Sequence, residues 1–595
     1  MPRSSIRSFL HRSLSLVLMP FYIMLFAWIS LAGCGTSAPQ EMIFFGGTVL
    51  TMSDAHPGKV EAVLVRDGKI AALGSRDEIL GQKTPATRLV DLEGRTLMPG
   101  LIAVHTHPDL AAFLHGFVDL SGFTCKSPDE VWERVRRAVR ETKKGDWIFC
   151  RGFDPMLVRG LSAPDIALLD SLAPDNPLTI LAQSMHSAWA NSAAFAKMGI
   201  TASTPDPAPG SFYEKDASGR LTGFIVETEA IRPFNAEVLK AFNIKQNILE
   251  VLKNYLANGF TSITTMGMYA TDSKPFLLYE HLSTRHPRLV HRLLAFAGML
   301  PERVPMVRHF MYIKHDTPFL IPDSVENGDD FFKVSGIKLW YDGSPYTGSM
   351  YIREPYLDSE LMRKGLKIPS RHTGEPVIDR QVFFENIRKY HEAGWQLSVH
   401  SQGDRSTDEV LDVFEKVIAA APANTARHRL EHGLLLPPEL LGKMKRFNMT
   451  PSFHINHLYY YGEALRNDII GPARAGRMLP AADAQKNGLV ISLHADQPMY
   501  PEEPFSLLQT AVTRETREGM VIGGAHAIPV IEGLKALTIY SAWQLNMEKK
   551  IGSIEAGKYA DLVVLDRNPL AVPASQLGSV RVMKTYVAGD EAWSR

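Results

Sequence analysis

His105-Thr106-His107 is the stretch of this chain best suited to do chemistry. Side chains alternate along a strand, so two imidazoles one residue apart project to the same side and offer two nitrogen donors to one cation. Lys338, His400, His432 and Asp496 follow in order, each at or near the end of an apolar run. Imidazole and carboxylate donors suit Zn2+, with manganese and iron also compatible. A cation held this way lowers the pKa of a bound water from about 15.7 to about 7, so hydrolysis becomes feasible at neutral pH.

Each of these residues also has an ordinary reading. His400 closes the run from Gln396 and enters Ser401-Gln402-Gly403-Asp404-Arg405. His432 sits in Arg429-Leu430-Glu431-His432-Gly433, and Asp496 in Leu493-His494-Ala495-Asp496-Gln497-Pro498. Singly they read as capping, loop or turn residues; their joint order favours a metal centre. Lys338 lies inside Gly336-Ile337-Lys338-Leu339-Trp340. Facing a barrel interior, its ammonium would be costly. Either it points outward into solvent, or carbon dioxide carboxylates it to a carbamate that bridges two divalent metals.

These residues need strands to carry them. Leu178–Leu181, Ser262–Thr265, Gly336–Trp340, Gln396–His400 and Leu489–Leu493 are candidate core strands, with longer helical stretches between them. One helix opens at Ser127-Pro128-Asp129-Glu130, a capping box with proline at the first position. Val131, Val135, Ala138 and Val139 form its apolar stripe, and Gly145 is expected to end it. Strands alternating with helices over some 400 residues predict an α/β fold, a (β/α)8 TIM-like barrel with insertions. A doubly wound sheet is the alternative; ligand-type residues at several strand ends favour the barrel. Near the N-terminus, Ala62–Arg66 and Lys69–Leu73 flank Asp67-Gly68, a hairpin signal. Near the C-terminus, Asp561–Asp566 reads as a strand, and Lys584–Val587 and Glu591–Trp593 flank Ala588-Gly589-Asp590. The two ends are expected to build one small β-sandwich, from 41–98 and 546–595, around a barrel at 99–545.

At 595 residues the chain exceeds one simple core. Lys+Arg and Asp+Glu both number 64, so net charge gives no argument for nucleic acid. Three cysteines are too few for a disulfide framework, and Cys125 and Cys150 read as buried thiols. Arg3, Arg7 and Arg12 precede an apolar run from Leu14 to Ala32 that ends in Leu31-Ala32-Gly33-Cys34. This resembles a lipoprotein signal peptide over 1–33, cleaved before a lipidated Cys34, with a tether at 34–40. An uncleaved anchor is the alternative. Either way the body is expected to be exported and membrane-attached at the cell envelope, on the outer membrane or the periplasmic face. A homo-oligomer is compatible with the sequence but not indicated by it.

Together these residues resemble the metal-dependent amidohydrolase superfamily, in the amidohydrolase-3 branch that includes N-substituted formamide deformylase. The resemblance covers nearly everything after Met42. Within it, His105 and His107 match the strand-one pair, Lys338 the bridging lysine of strand four, His400 strand five, His432 strand six and Asp496 strand eight. His186–Ser192, Gly223–Glu227 and Ile551–Asp561 also match, as does His457 on strand seven. His454 and His494 depart from the pattern and stand outside the expected ligand set.

The resemblance implies a small amide-like substrate and one or two divalent metals. His105, His107 and Asp496 would hold one metal, and His400 and His432 the other, with carboxylated Lys338 between them; a single-metal form stays open. Asp496 would take the proton of the attacking water and return it to the leaving nitrogen. His186 or His457 would help polarise the carbonyl. Trp340, Tyr341, Phe453 and Tyr459–Tyr461 read first as core, and as an apolar substrate wall if they line the pocket. Ester, lactone or phosphoester hydrolysis would use the same centre. A non-catalytic, metal-stabilised binding lipoprotein would need no general base.

Overall fold

Eight short runs, apolar because both of their faces are covered, form a single parallel sheet: β1 Leu101–Thr106, β2 Phe260–Met268, β3 Arg308–Lys314, β4 Phe332–Trp340, β5 Gln396–Ser401, β6 His428–His432, β7 Met449–His454 and β8 Ser492–His494. This is a computed structural model. It describes residues 41–595 except 55–59, 209–210, 269, 271, 286, 302–306 and 423. The proposed leader, Cys34 and the tether lie outside the described residues.

Each strand pairs with the next in the chain, and the sheet curls until its ends nearly close. The His107 amide donates to the Gln497 carbonyl at 2.8 Å, just beyond β8. The His105 ring stacks on His494 with centroids 4.5 Å apart. The expected barrel is therefore present, and the doubly wound sheet is not. Amphipathic helices cover its outside. Asp404–Ala420, between β5 and β6, buries Val410, Leu411, Phe414 and Val417. Arg380–Glu392, before β5, starts where the Asp379 carboxylate accepts from the Gln381 and Val382 amides.

A six-stranded sheet is inserted between β1 and β2. Leu178–Ala182 belongs here and not to the barrel core. It pairs parallel with Ile148–Phe153 and antiparallel with Ser187–Ala190. A short run buried on both faces looks alike in either sheet, so its composition could not assign it. The helix at Pro128–Glu141 is capped by Ser127 as expected, with Val131 and Val135 buried. It closes at Glu141, four residues before Gly145. Cys125 and Cys150 are buried free thiols.

The insertion docks on the C-terminal mouth of the barrel. Arg517 donates to the Gly122 and Leu157 carbonyls, each at 3.1 Å. The Tyr461 hydroxyl donates to Asp154 at 2.6 Å, and the Gln183 side chain donates to the Met499 carbonyl at 2.6 Å.

Two further sheets use both chain ends. One pairs Lys69–Gly74, Ala62–Arg66, Glu41–Phe45 and Arg88–Asp91 in that order. The Asp67-Gly68 turn has both φ angles positive, at 52° and 75°, as a two-residue hairpin requires. The other joins Thr48–Val49 and Thr96–Pro99 to Leu562–Leu565, Val582–Val587 and Asp590–Ser594. Phe44 of the first sheet meets Tyr586 of the second edge-on, with centroids 5.1 Å apart. Arg308, the first residue of β3, grips Asp561 with two hydrogen bonds of 2.6 and 2.9 Å, both residues being buried. The Ile551–Asp561 motif thus clamps the C-terminal segment to the end of the barrel opposite its mouth.

Candidate metal centre

The imidazoles of His105 and His107 converge on one carboxylate oxygen. Nε2 of His105 lies 3.2 Å and Nε2 of His107 3.0 Å from Oδ1 of Asp496. His105 is the penultimate residue of β1, a strand buried along its whole length. His107 lies one residue beyond the strand and starts the helix Pro108–Leu114. Asp496 and His432 both adopt left-handed backbone, with φ of 60° and 74°. Such angles are uncommon outside glycine and concentrate where a site dictates the backbone.

Glu431 sets the tautomer of His105. Its carboxylate accepts from Nδ1 at 2.7 Å, from Ser398 at 2.8 Å and from Arg429 Nη2 at 3.0 Å, and pairs with the Arg429 charge at 2.7 Å. With the proton on Nδ1, Nε2 of His105 presents a lone pair toward Asp496. Two imidazole nitrogens and a carboxylate oxygen in one place make a donor set with the chemistry of a divalent-cation site. Burial pushes Asp496 up, but His105 and His107 outweigh it and hold the carboxyl well below the usual range.

Other imidazole rings pack around the same space. His400 and His432 lie side by side with centroids 4.2 Å apart, and His432 is 4.7 Å from His105. Burial pushes His400 down to about 3 and His454 to about 4, and holds His432, His457 and His494 well below the ordinary imidazole value. At neutral pH these rings are uncharged, the form that binds metal. Lys338 is fully buried, and Nζ has no hydrogen-bond partner among the described residues. It points inward, so the solvated reading fails. Burial pushes its amine down to about 8.

The structure thus brings together His105, His107, Lys338, His400, His432 and Asp496. His457 stands beside them, its ring 4.1 Å from that of His454. The Tyr346 and Tyr500 hydroxyls lie 2.7 and 3.1 Å from its Nδ1. His186 is not brought in: it is half exposed in the insertion, 3.1 Å from a Glu227 carboxylate oxygen. Its motif and Gly223–Glu227 are neighbours, since Ser187 pairs with Val226.

Sequence reasoning missed Glu431, Arg429, Tyr346 and Tyr500, and left His454 and His494 aside. Arg429 and Glu431 did carry a signal: two charged residues at period two inside a buried strand must pair with something. Tyr346, in a single 3-10 turn at Pro345–Thr347, and Tyr500, in a loop, carried none. Of the aromatic residues named above, Tyr461 does reach the mouth, 4.3 Å from Tyr346 by ring centroids. Tyr341 and Phe453 are core.

Comparison with known proteins agrees with this geometry. The amidohydrolase family model matches residues 88–592. The chain is similar to N-substituted formamide deformylase of Arthrobacter pascens, at 28% identity over 93% of this chain and 99% of the relative. It is also similar to the putative amidohydrolase YtcJ of Bacillus subtilis, at 27% identity over 93% of this chain and 100% of the relative. Among solved structures, an uncharacterized metal-dependent hydrolase from Pyrococcus horikoshii superposes with a TM-score of 0.67 at 21% identity, over 90% of this chain and 99% of that one. The likeness to that structure speaks to the fold.

Proposed function

We propose, from the premise that this chain belongs to the amidohydrolase family, that it is a metal-dependent hydrolase of a carbon–nitrogen bond in a small amide-like molecule. The convergence of His105 Nε2 and His107 Nε2 on Asp496 Oδ1, at 3.2 and 3.0 Å, carries this reading. A divalent cation there, with Zn2+ the best fit to the donors, supplies Lewis acidity to the carbonyl and to the attacking water. His105, His107 and Asp496 would hold one cation; His400 and His432 would contribute to a second, and Lys338, if carboxylated, would add carboxylate oxygens.

Asp496 takes a proton from water and delivers it to the leaving nitrogen. His457 has two tyrosine hydroxyls at Nδ1. A tyrosine hydroxyl donating there would leave the ring proton on Nε2, where a substrate carbonyl oxygen would have to displace the Gln402 side chain at 3.3 Å. Glu431 and Arg429 hold His105 in its tautomer. We assign His186 no step. The two terminal sheets are read as one sandwich-like domain, and Cys34 as a lipidated anchor at the cell envelope, a point that mass spectrometry of the mature N-terminus decides.

The test loads the protein with Zn2+, Mn2+ or Fe2+ and assays N-substituted amides beside matched esters and lactones, for the parent and for Asp496→Asn. Amide cleavage that falls at least about 10²-fold in the variant, at unchanged metal content, supports the assignment. Full activity in Asp496→Asn removes Asp496 as the base. A loaded parent that turns over nothing returns the chain to a binding role.

A further inference from the structure

We infer that His454, a departure from the family pattern, is a metal ligand of this centre, an inference that rests on the metal-dependent reading above. One ring nitrogen of His454, one of His432 and a carboxylate oxygen of Asp496 all lie within 4.8 Å of one another. Ligands of a tetrahedral zinc with bonds of about 2.0–2.1 Å stand roughly 3.3–3.5 Å apart. Small rotations of three side chains close that gap.

The other two imidazoles of this wall are committed elsewhere. His494 has Ser452 Oγ 2.8 Å from Nδ1 and His432 Nδ1 3.3 Å from Nε2. His457 has the tyrosine hydroxyls at Nδ1 and the Gln402 side chain 3.3 Å from Nε2. His454 is 2% exposed, yet neither of its nitrogens makes a hydrogen bond of good geometry among the described residues, the Ala495 backbone offering only a poor one. The closest carboxylate oxygen, Oδ2 of Asp496, is 3.9 Å from Nδ1. Its surroundings are rings: His457 at 4.1 Å, Tyr500 edge-on at 4.7 Å, His494 at 5.1 Å and His432 at 5.4 Å between centroids. Buried polar groups usually have partners, and a ring left without a good one inside a wall of ligand-type side chains points to a bound cation.

The arrangement divides Asp496 between two positions. Oδ1 faces His105 and His107, and Oδ2 faces His454. The second position thereby gains a nitrogen from β7. A set so rich in imidazole favours zinc, cobalt or copper over magnesium and calcium.

Cobalt(II) provides the test, because its visible spectrum reports coordination directly. Cobalt stoichiometry, affinity and spectrum are measured by dialysis for the whole protein, for His454→Gln, and for His454→Gly with and without added imidazole. Matching melting temperatures of the metal-free forms establish that the variants fold. The expected result is a changed spectrum and a loss of affinity of at least about 10-fold at one position in His454→Gln. Imidazole should restore the parent spectrum in His454→Gly, which covers the case of a glutamine variant that does not fold. Parent stoichiometry, affinity and spectrum in either variant without imidazole overturn the inference and leave the proposed function standing. A parent that takes up no cobalt overturns both.

Discussion

Gly267 on β2 and Lys338 on β4 meet inside the barrel with no room for a β-carbon between them. A methyl group on Gly267 would stand 2.9 Å from Cγ of Lys338 and 2.3 Å from the Trp340 ring, at a φ of +96° that side chains rarely adopt. The glycine leaves room for the Lys338 side chain beside the Trp340 ring. Gly267→Ala should destabilise the protein by about 1–3 kcal/mol through overpacking and backbone strain. It should also lower metal content, because Lys338 is displaced. Thermal melting and elemental analysis read the two effects; a variant unchanged in both would mean that the position of Lys338 is set elsewhere.

Lys338 itself makes a pH-dependent prediction. Carbon dioxide reacts with the neutral amine, and burial brings that amine to about 8. Because the neutral fraction rises with pH through that value, bicarbonate should promote metal uptake more at pH 8 than at pH 6. Lys338→Ala should show no bicarbonate response at either pH. A parent equally indifferent to bicarbonate would assign Lys338 a role without a carbamate.

Glu431 joins His105 to Arg429, and all three are buried. Glu431→Gln keeps an acceptor but removes the charge that balances Arg429 and fixes the His105 tautomer. Metal affinity should fall by about 10–100-fold, the usual cost of losing a partner behind a ligand. Melting of the metal-free form should drop as well, since a buried guanidinium loses its counter-charge. Competition with a chelator of known affinity measures the first effect; parent-like retention would show that His105 needs no such support.

Asp154 ties the insertion to Tyr461, and burial pushes its carboxyl up to about 6 from an ordinary 3.8. Between those values the folded protein binds more protons than the unfolded chain, so stability falls as pH rises through the window. The cost at pH 7.5 is on the order of 3 kcal/mol. Asp154→Asn carries no charge and should melt higher than the parent at pH 7.5, with the gain shrinking as pH falls toward 4. A gain that does not depend on pH would place the effect in packing instead.

Much of the centre was legible because barrel strands deliver residues at known places. The His105 and His107 pair followed from period two, and Lys338 from the oddity of an ammonium in an apolar run. His432 and Asp496 were found through their neighbours. Their left-handed backbone follows from no periodicity, and it turns each side chain inward. Glu431 was seen only as an adjacent residue, because its partners His105 and Arg429 come together only when β1 and β6 share an interior. Leu178–Leu181 was placed in the wrong sheet because burial alone cannot say which sheet does the burying. His186 was carried by its motif toward the chemistry, while the fold leaves it on the insertion beside Glu227.

Strand Thr96–Pro99 pairs with Leu562–Leu565, and Phe44 rests on Tyr586. This arrangement puts a clock into biogenesis. Thr96–Pro99 leaves the ribosome long before Leu562–Leu565 and cannot complete its layer until the latter arrives, and contacts of such long sequence separation form slowly. Until then the leading segment keeps open edges and an uncovered apolar face, a state that holdase chaperones recognise. Completion of that layer is thereby timed by the synthesis of Leu562–Ser594. A ribosome that stalls before Leu562 would release a chain whose first sheet never finds its cover.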